Sequence, residues 1–445
     1  MPRYIALFLC IGFVLFLLRL DRKQFPEVSV ALWIPTIWML LAASKPLAIW
    51  FGGIGADEEG SLLDRVFLTV LLCAGVSVLA KRKLDLAKAL KENAWLMLLI
   101  GYMFVSISWS DIPFISFKRW VKELTAVVMA FLILSEREPR KALESVFRRT
   151  VYVLIPFSYI LIHYFPEYGR EYGRWSGLLM WTGVALQKNG LVRLCMFSIF
   201  FLVWSFVRRR LGVDVSVTKY QPYIEALVLG LALYLFGGLH HSLTQSATAT
   251  GAIAVTLAVF CWLLWKRKRS TAPSAAILVV IMAFIIGYGT ATPFAGRLTI
   301  VDISSALGRD ETLTDRTEIW AELVPFVMRE PILGQGFGGF WTPESREAQE
   351  ISEAHCGYLD IILEQGFFGL LLMTMFLLSS CGKAQRVMAQ DFDWGALWIC
   401  CLVMSLLHNI AESSLNSLTS QLTAVVLFLT VVVPGSISSR QREEL

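Results

Sequence analysis

One stretch of the sequence, residues 290–357, concentrates the groups that could do chemistry. Its basic residues are Arg297, Arg309, Arg316, Arg329 and Arg346, and it holds no lysine. Arginine presents a permanently charged planar fork that matches phosphate oxygens two at a time. The same arginines also suit ion pairs with nearby acids such as Asp310, Asp315, Glu318 and Glu322 on solvated helix faces. Arg316 stands apart, because the spacing places it in the first turn of a capped helix, where unpaired backbone N–H groups also favour an anion. His355 ends the stretch, with Tyr358, Asp360 and Glu364 following it. An imidazole that titrates near neutrality can take a proton there, although a histidine at a helix start also serves structure. The pairs Asp360/Glu364 and His408/Glu412 have the i,i+4 spacing of metal or ion-coupling groups, and equally that of a polar stripe at an interface.

Other chemistries are excluded. No GxxxxGKS/T phosphate loop occurs, so nothing points to nucleotide hydrolysis. The run Gly334-Gln335-Gly336-Phe337-Gly338-Gly339 formally matches GxGxxG, but it follows a helical pattern and not a strand, which argues against a dinucleotide site. The eight cysteines are scattered, mostly through apolar blocks, and imply neither disulfides nor zinc. No cofactor, metal or nucleic acid is expected.

The elements that must hold these groups are membrane helices. Of 445 residues 56% are hydrophobic and 17% charged, more apolar surface than a soluble core of that length can hide. The apolar residues fall in blocks near the roughly 20 residues that cross a bilayer as a helix. These lie near 4–18, 28–50, 62–80, 93–109, 120–134, 151–165, 191–207, 222–239, 249–265, 274–291, 358–380, 394–410 and 417–433. The expectation is an all-α polytopic membrane protein of about 12–13 transmembrane helices with one large helical loop. In chain order it reads as N-terminal membrane helices over 1–289, the loop over 290–357, and C-terminal membrane helices over 358–445.

Basic clusters recur in alternate connections: Lys81-Arg82-Lys83, Arg137 to Arg149, Arg208-Arg209-Arg210 and Lys266-Arg267-Lys268-Arg269. The positive-inside rule makes these cytoplasmic, together with the C-terminal Arg440 and Arg442. The segments near 51–61, 110–119, 166–190, 240–248, 290–357 and 411–416 then lie outside, and in a bacterial inner membrane outside is the periplasm. Within the large loop, Asp315 and Glu318 have capping-box spacing and Ile319, Trp320, Leu323, Val324 and Val327 follow at helical period, which predicts an amphipathic helix over 315–329. Pro325 is expected to kink or split it and Pro331 to end it. Pro343 opens a second, short polar helix running toward His355.

The residues from Leu307 to Trp341, LGRDETLTDRTEIWAELVPFVMREPILGQGFGGFW, and from Ala354 to Leu372, AHCGYLDIILEQGFFGLLL, resemble the signature region of the O-antigen ligase and Wzy-type polymerase superfamily. That family shows a GRD-x-TLTGRT-x-IW run, a RPLLGxGFG turn and HNGYLxxLLExGxxGL leading into the next span, in the same order. The chain looks most like the exopolysaccharide-production branch. The resemblance implies an integral-membrane glycosyltransferase that moves a glycan from an undecaprenyl-pyrophosphate carrier to a saccharide or lipid-linked acceptor, polymerising repeat units or, as a ligase, attaching polymer to lipid A core. The bilayer and other polysaccharide-export proteins are the implied partners. A transporter or flippase is the rival class, but no repeated halves are evident and the charge sits in one outer loop.

Carried over residue by residue, the resemblance assigns pyrophosphate binding to Arg309 and Arg316, makes His355 the general base, and matches Arg174 and Lys188-Asn189 to an earlier outer motif. Asp315 and Cys356 stand where the family has Gly and Asn. The family's Ser-Arg-Thr-Ala region reads Gln245-Ser246-Ala247-Thr248-Ala249 here, without the basic residue, for which Lys118 and Arg119 are the candidate substitutes. The implied reaction is a single displacement, metal-independent and inverting, in which guanidinium groups stabilise the leaving pyrophosphate.

Overall fold

A computed structural model describes residues 2–52, 61–82, 84–173, 177, 179–213, 218–237, 246–269, 275–295, 311–349 and 351–443. The protein is an all-α polytopic membrane protein, with one two-stranded hairpin, Arg170–Tyr172 against Leu179–Trp181, among the described residues. Among the described residues, seven helices are long and apolar enough to cross a membrane: Arg3–Gln24, Leu62–Lys81, Pro139–Tyr164, Lys188–Arg210, Ala247–Lys268, Ala276–Phe294 and Gly357–Gln390. An eighth crossing would be the pair Leu86–Glu92 and Ala94–Trp109, bent by 88° at Asn93. Val30–Ala42, Gln221–Gly237, Phe392–His408 and Gln421–Pro434 are shorter apolar helices.

Most apolar blocks in the sequence fall on one helix, but the block at 28–50 is broken at 43–46, before a short turn of helix at Leu47–Trp50, and not all blocks reach spanning length. The block at 120–134 belongs to a helix, Pro113–Leu134, whose first half carries Lys118, Arg119, Lys122 and Glu123, too much charge for a plain span.

Packing groups the chain into two compact units, one of residues 1–84, 127–257 and 427–445, the other of 85–126 and 258–426. The sequence division at 289 and 357 instead follows the long polar loop along the chain. In the first unit, arginines that read as loop charges are inside the helix bundle. Arg148 is fully buried between Glu144, at 2.7 Å, and Glu225, and Arg149 reaches Asp21 at 2.6 Å. Arg208 holds Glu144 at 2.8 Å and Arg209 holds Glu225 at 2.6 Å. Buried charges persist only when paired in this way. Toward the hairpin, buried Lys45 donates to the carbonyls of Tyr168 and Gly183 and to the Thr182 hydroxyl, at 2.7 to 3.2 Å.

The second unit is organised around a broken helix. Gly357–Gln390 contains one residue with non-helical backbone, Gly366, at φ +64°. Backbone groups freed by a break at membrane depth must find protein partners. Here they do. The Phe367 and Phe368 amides donate to the Pro331 and Ile332 carbonyls at 2.8 and 3.1 Å, the Leu363 carbonyl accepts from Gln335 N at 3.0 Å, and the Tyr102 hydroxyl donates to the Gln365 carbonyl at 2.8 Å. The Pro331–Gln335 segment thus docks into the break.

That docking sets an expected result for Gly366→Ala. A Cβ there would lie 2.1 Å from the Ile332 carbonyl oxygen, on a backbone L side chains avoid. We expect a loss of more than about 2 kcal/mol, read as a lowered Tm of the detergent-purified protein. Gly382→Ala in the same helix meets nothing within 4 Å and serves as the neutral control. Equal Tm values for the two variants would refute the docking.

Candidate active site

The loop helix runs from Glu311 to Arg329. It buries Trp320, Leu323 and Val327, the stripe its period predicts. Two local expectations differ. The helix is not split at Pro325. Pro325 and Ala321 are both exposed, so the carbonyl that proline cannot bond is left on the solvated side. The helix also starts four residues before Asp315. Arg316 therefore lies past the first turn and gains nothing from the unpaired N–H groups of a helix start.

Arg316 instead gains a side-chain partner. Its guanidinium donates to Glu412 Oε1 at 2.7 Å, with Arg316 16% and Glu412 4% exposed. The other oxygen of Glu412 is 4.0 Å from His355 Nδ1, and Glu353 Oε1 is 3.2 Å from the same nitrogen. One carboxylate thus joins the arginine and the histidine. His355 is the non-glycine residue with positive φ, 49°, among the described residues. Such backbone is uncommon for a side-chain-bearing residue and collects at functional positions.

The backbone around His355 is fixed on both sides. The Ala354 carbonyl accepts from Trp320 Nε1 at 2.9 Å, and the Ala354 amide donates to Asp360 Oδ1 at 3.1 Å. The Gly357 amide donates to the Asn409 and Glu412 carbonyls, both at 3.0 Å. Asp360 also accepts from Trp341 Nε1 at 2.8 Å and from the Ser413 hydroxyl. Asn409 Oδ1 accepts the Ser414 and Leu415 amides, folding the 409–415 turn that carries Glu412. Asp360 is therefore a strut under His355, and the turn after Phe392–His408 delivers the acid.

Burial acts to lower the pKa of His355, and Arg316 acts the same way, but the contact with Glu353 and the charges of Glu353 and Glu412 outweigh both and hold it above the ordinary imidazole value. Cys356, standing at the family's Asn position, is fully buried, and burial pushes its thiol up to about 12. It is an inert wall residue. The ligand atoms of Glu353, His355 and Glu412 lie within 4.8 Å of one another, so among the described residues these could hold a divalent cation.

The remaining candidates are placed as follows. Arg119 donates to the carbonyls of Gly338, at 2.5 Å, and Trp341, at 3.3 Å, bracing the glycine-rich turn. Lys118 lies over the Phe114 ring at 4.4 Å. Arg174, Arg297 and Arg309 lie outside the described residues. The turn itself packs on protein, with the Phe337 amide donating to the Ser106 hydroxyl oxygen at 3.0 Å. Segments 110–119, 331–357 and 411–416, which the charge pattern puts on one side of the membrane, meet in this unit.

Residues 232–374 match the family model described as O-Antigen ligase. In that stretch the chain resembles the O-antigen ligase family. The matched stretch includes Arg316 and His355 and stops before Glu412. The exopolysaccharide production protein ExoQ of Rhizobium meliloti (strain 1021) is 23% identical over 320 residues, covering 67% of this chain and 67% of that protein. Together with the apolar helices, these likenesses support a multi-pass membrane enzyme of the ligase or polymerase type. Sequence reasoning picked out the arginine and the histidine as site residues, and it weighed Glu412 only as the i,i+4 partner of His408. The signal for Glu412 was its place in the short 411–416 outer connection, where it is the sole acid.

Proposed function

We propose that the protein polymerises exopolysaccharide repeat units in the bacterial inner membrane, transferring a glycan from undecaprenyl pyrophosphate to a saccharide acceptor at its periplasmic face. The observation that carries this reading is the Arg316–Glu412–His355–Glu353 cluster. Glu353 Oε1 lies 3.2 Å from Nδ1 of His355, and we assign the proton of the neutral ring to that nitrogen, which presents Nε2 as the base. The acceptor hydroxyl loses its proton to Nε2, its oxygen bonds to the anomeric carbon, and the carbon–phosphate-oxygen bond breaks with undecaprenyl pyrophosphate leaving. The carboxylates stabilise the imidazolium as it forms. Arg316 offers a fixed cation for the leaving charge, with Arg309 and Arg174 as further binding groups and Arg119 and Lys118 as supports at the neighbouring turn. With the charge met by guanidinium groups, no metal is needed, and one displacement inverts the anomeric centre.

Polymerisation is preferred to ligation because the relative is named for exopolysaccharide production. Deleting the gene should leave single lipid-linked repeats in the membrane, visible by mass spectrometry of extracted lipids. Accumulation of full-length but unattached polymer would make the protein a ligase instead. Loss of repeats from the periplasmic leaflet, with repeats retained inside, would indicate a flippase.

A further inference from the structure

Beside the glycine-rich turn lies a cavity of about 330 Å³ that the mechanism above does not use. It sits at the small end of the roughly 300–1,000 Å³ range of ligand sites, suited to one sugar residue and not to an oligosaccharide. Two aromatic rings, Phe326 and Phe340, line it, meeting edge to face at 5.6 Å. The polar lining includes Asp111, Gln335 and Glu344. Thr342 and Ser345 are also present, but their hydroxyls are spent on capping Pro343–Gln349. No partner among the described residues engages the side chains of Asp111, Gln335 or Glu344.

Aromatic faces beside acceptor-rich carboxylates and an amide are what a pyranose ring requires. Its C–H face packs on the rings, and its hydroxyls donate to the oxygens. The lining contains two carboxylates and no basic side chain, so a carboxylated sugar would be repelled. The cavity is also tied to the catalytic cluster. Trp341, next to Phe340, donates to Asp360, and Asp360 holds the Ala354 amide beside His355. We propose that this cavity is a subsite for a neutral pyranose unit of the glycan, belonging either to the acceptor or to the lipid-linked donor. The proposal rests on the glycan-transfer reading and deepens it.

The test is saturation-transfer NMR on the purified full-length protein in detergent, with methyl glucopyranoside and methyl glucuronopyranoside as probes. The neutral sugar should receive magnetisation and the uronate should not. Asp111→Ala/Gln335→Ala should reduce that signal at least tenfold, whereas His355→Gln should keep it. Glu344→Lys, on the exposed short helix, should admit the uronate. No transfer to the neutral sugar, equal transfer to the uronate in the parent protein, or undiminished signal in the double variant each overturns the subsite. In transfer assays the double variant should raise KM for one substrate, which names the source: acceptor or donor. An unchanged KM for both counts against the proposal. Because binding of a free sugar is read without turnover, a subsite that survives while His355→Gln remains active would sink the base assignment alone.

Discussion

Replacing His355 by glutamine is expected to lower the rate of glycan transfer by about 10²- to 10⁴-fold, the range that a positioned general base contributes. Glutamine has similar reach and keeps a polar group opposite Glu353, so the loop should retain its fold. What it cannot do is accept a proton at physiological pH. The measurement is elongation of a lipid-linked repeat by purified protein between pH 6 and 8, with donor binding followed separately and expected to change little. The pH profile supplies a second reading. The neutral ring is the active form, and its pKa is held above the ordinary value, so activity should rise with pH along a limb displaced upward from that of free imidazole. Glu353→Gln removes the carboxylate that contributes most to holding it up, and the limb should move to lower pH. Parental rates for His355→Gln across this range would make His355 structural and send the search for a base to Glu353, Asp360 or His408.

Much of this architecture was legible because membrane helices announce themselves through composition. Most apolar blocks fall on one helix, the block at 28–50 being broken at 43–46, and the Trp320, Leu323, Val327 stripe was readable from its period. What was not legible depended on partners distant in the chain. Gly366 sits within the apolar run LEQGFFGLLL, whose local pattern reads as an unbroken helix. Its break is stable because Pro331 to Gln335, about thirty residues earlier, supply the missing backbone partners. Arg148, Arg149, Arg208 and Arg209 resembled ordinary loop charges, since nothing local shows that Asp21, Glu144 and Glu225 will fold onto them.

The site shows the same division. Arg316 and His355 were visible because they fall within the stretches that resemble the O-antigen ligase family. Glu412 was weighed only with His408, its i,i+4 neighbour, whereas the structure sets its carboxylate against Arg316 and His355. His408 is buried at the helix end, 1% exposed, whereas Glu412 turns toward the loop helix. The Asn409 side chain makes that turn by accepting two backbone amides, a tertiary detail no spacing rule contains. The start of the loop helix was misplaced for a related reason. Asp315 and Glu318 form a credible capping box, and Glu311 to Thr314 carry no competing signal that would extend it backward.

Arg316→Lys is expected to reduce kcat/KM for the lipid pyrophosphate donor by about 10- to 10²-fold, on the scale of one charge-assisted hydrogen bond. Lysine keeps the positive charge but is a single flexible point, unable to grip Glu412 and a phosphate in one fixed plane. The assignment predicts loss through geometry, and the pH profile can separate geometry from charge. Arg316 acts to lower the pKa of His355. Arg316→Ala removes that charge, so the pKa should rise further and the ascending limb should shift to higher pH, opposite to Glu353→Gln. Arg316→Lys preserves the charge, so the limb should stay in place while the plateau falls. Membrane levels of each variant, measured by immunoblot, must match the parent for the comparison to count. A lysine variant with parental kcat/KM would reduce Arg316 to a counter-ion for Glu412, and the leaving pyrophosphate would have to be met elsewhere in the loop.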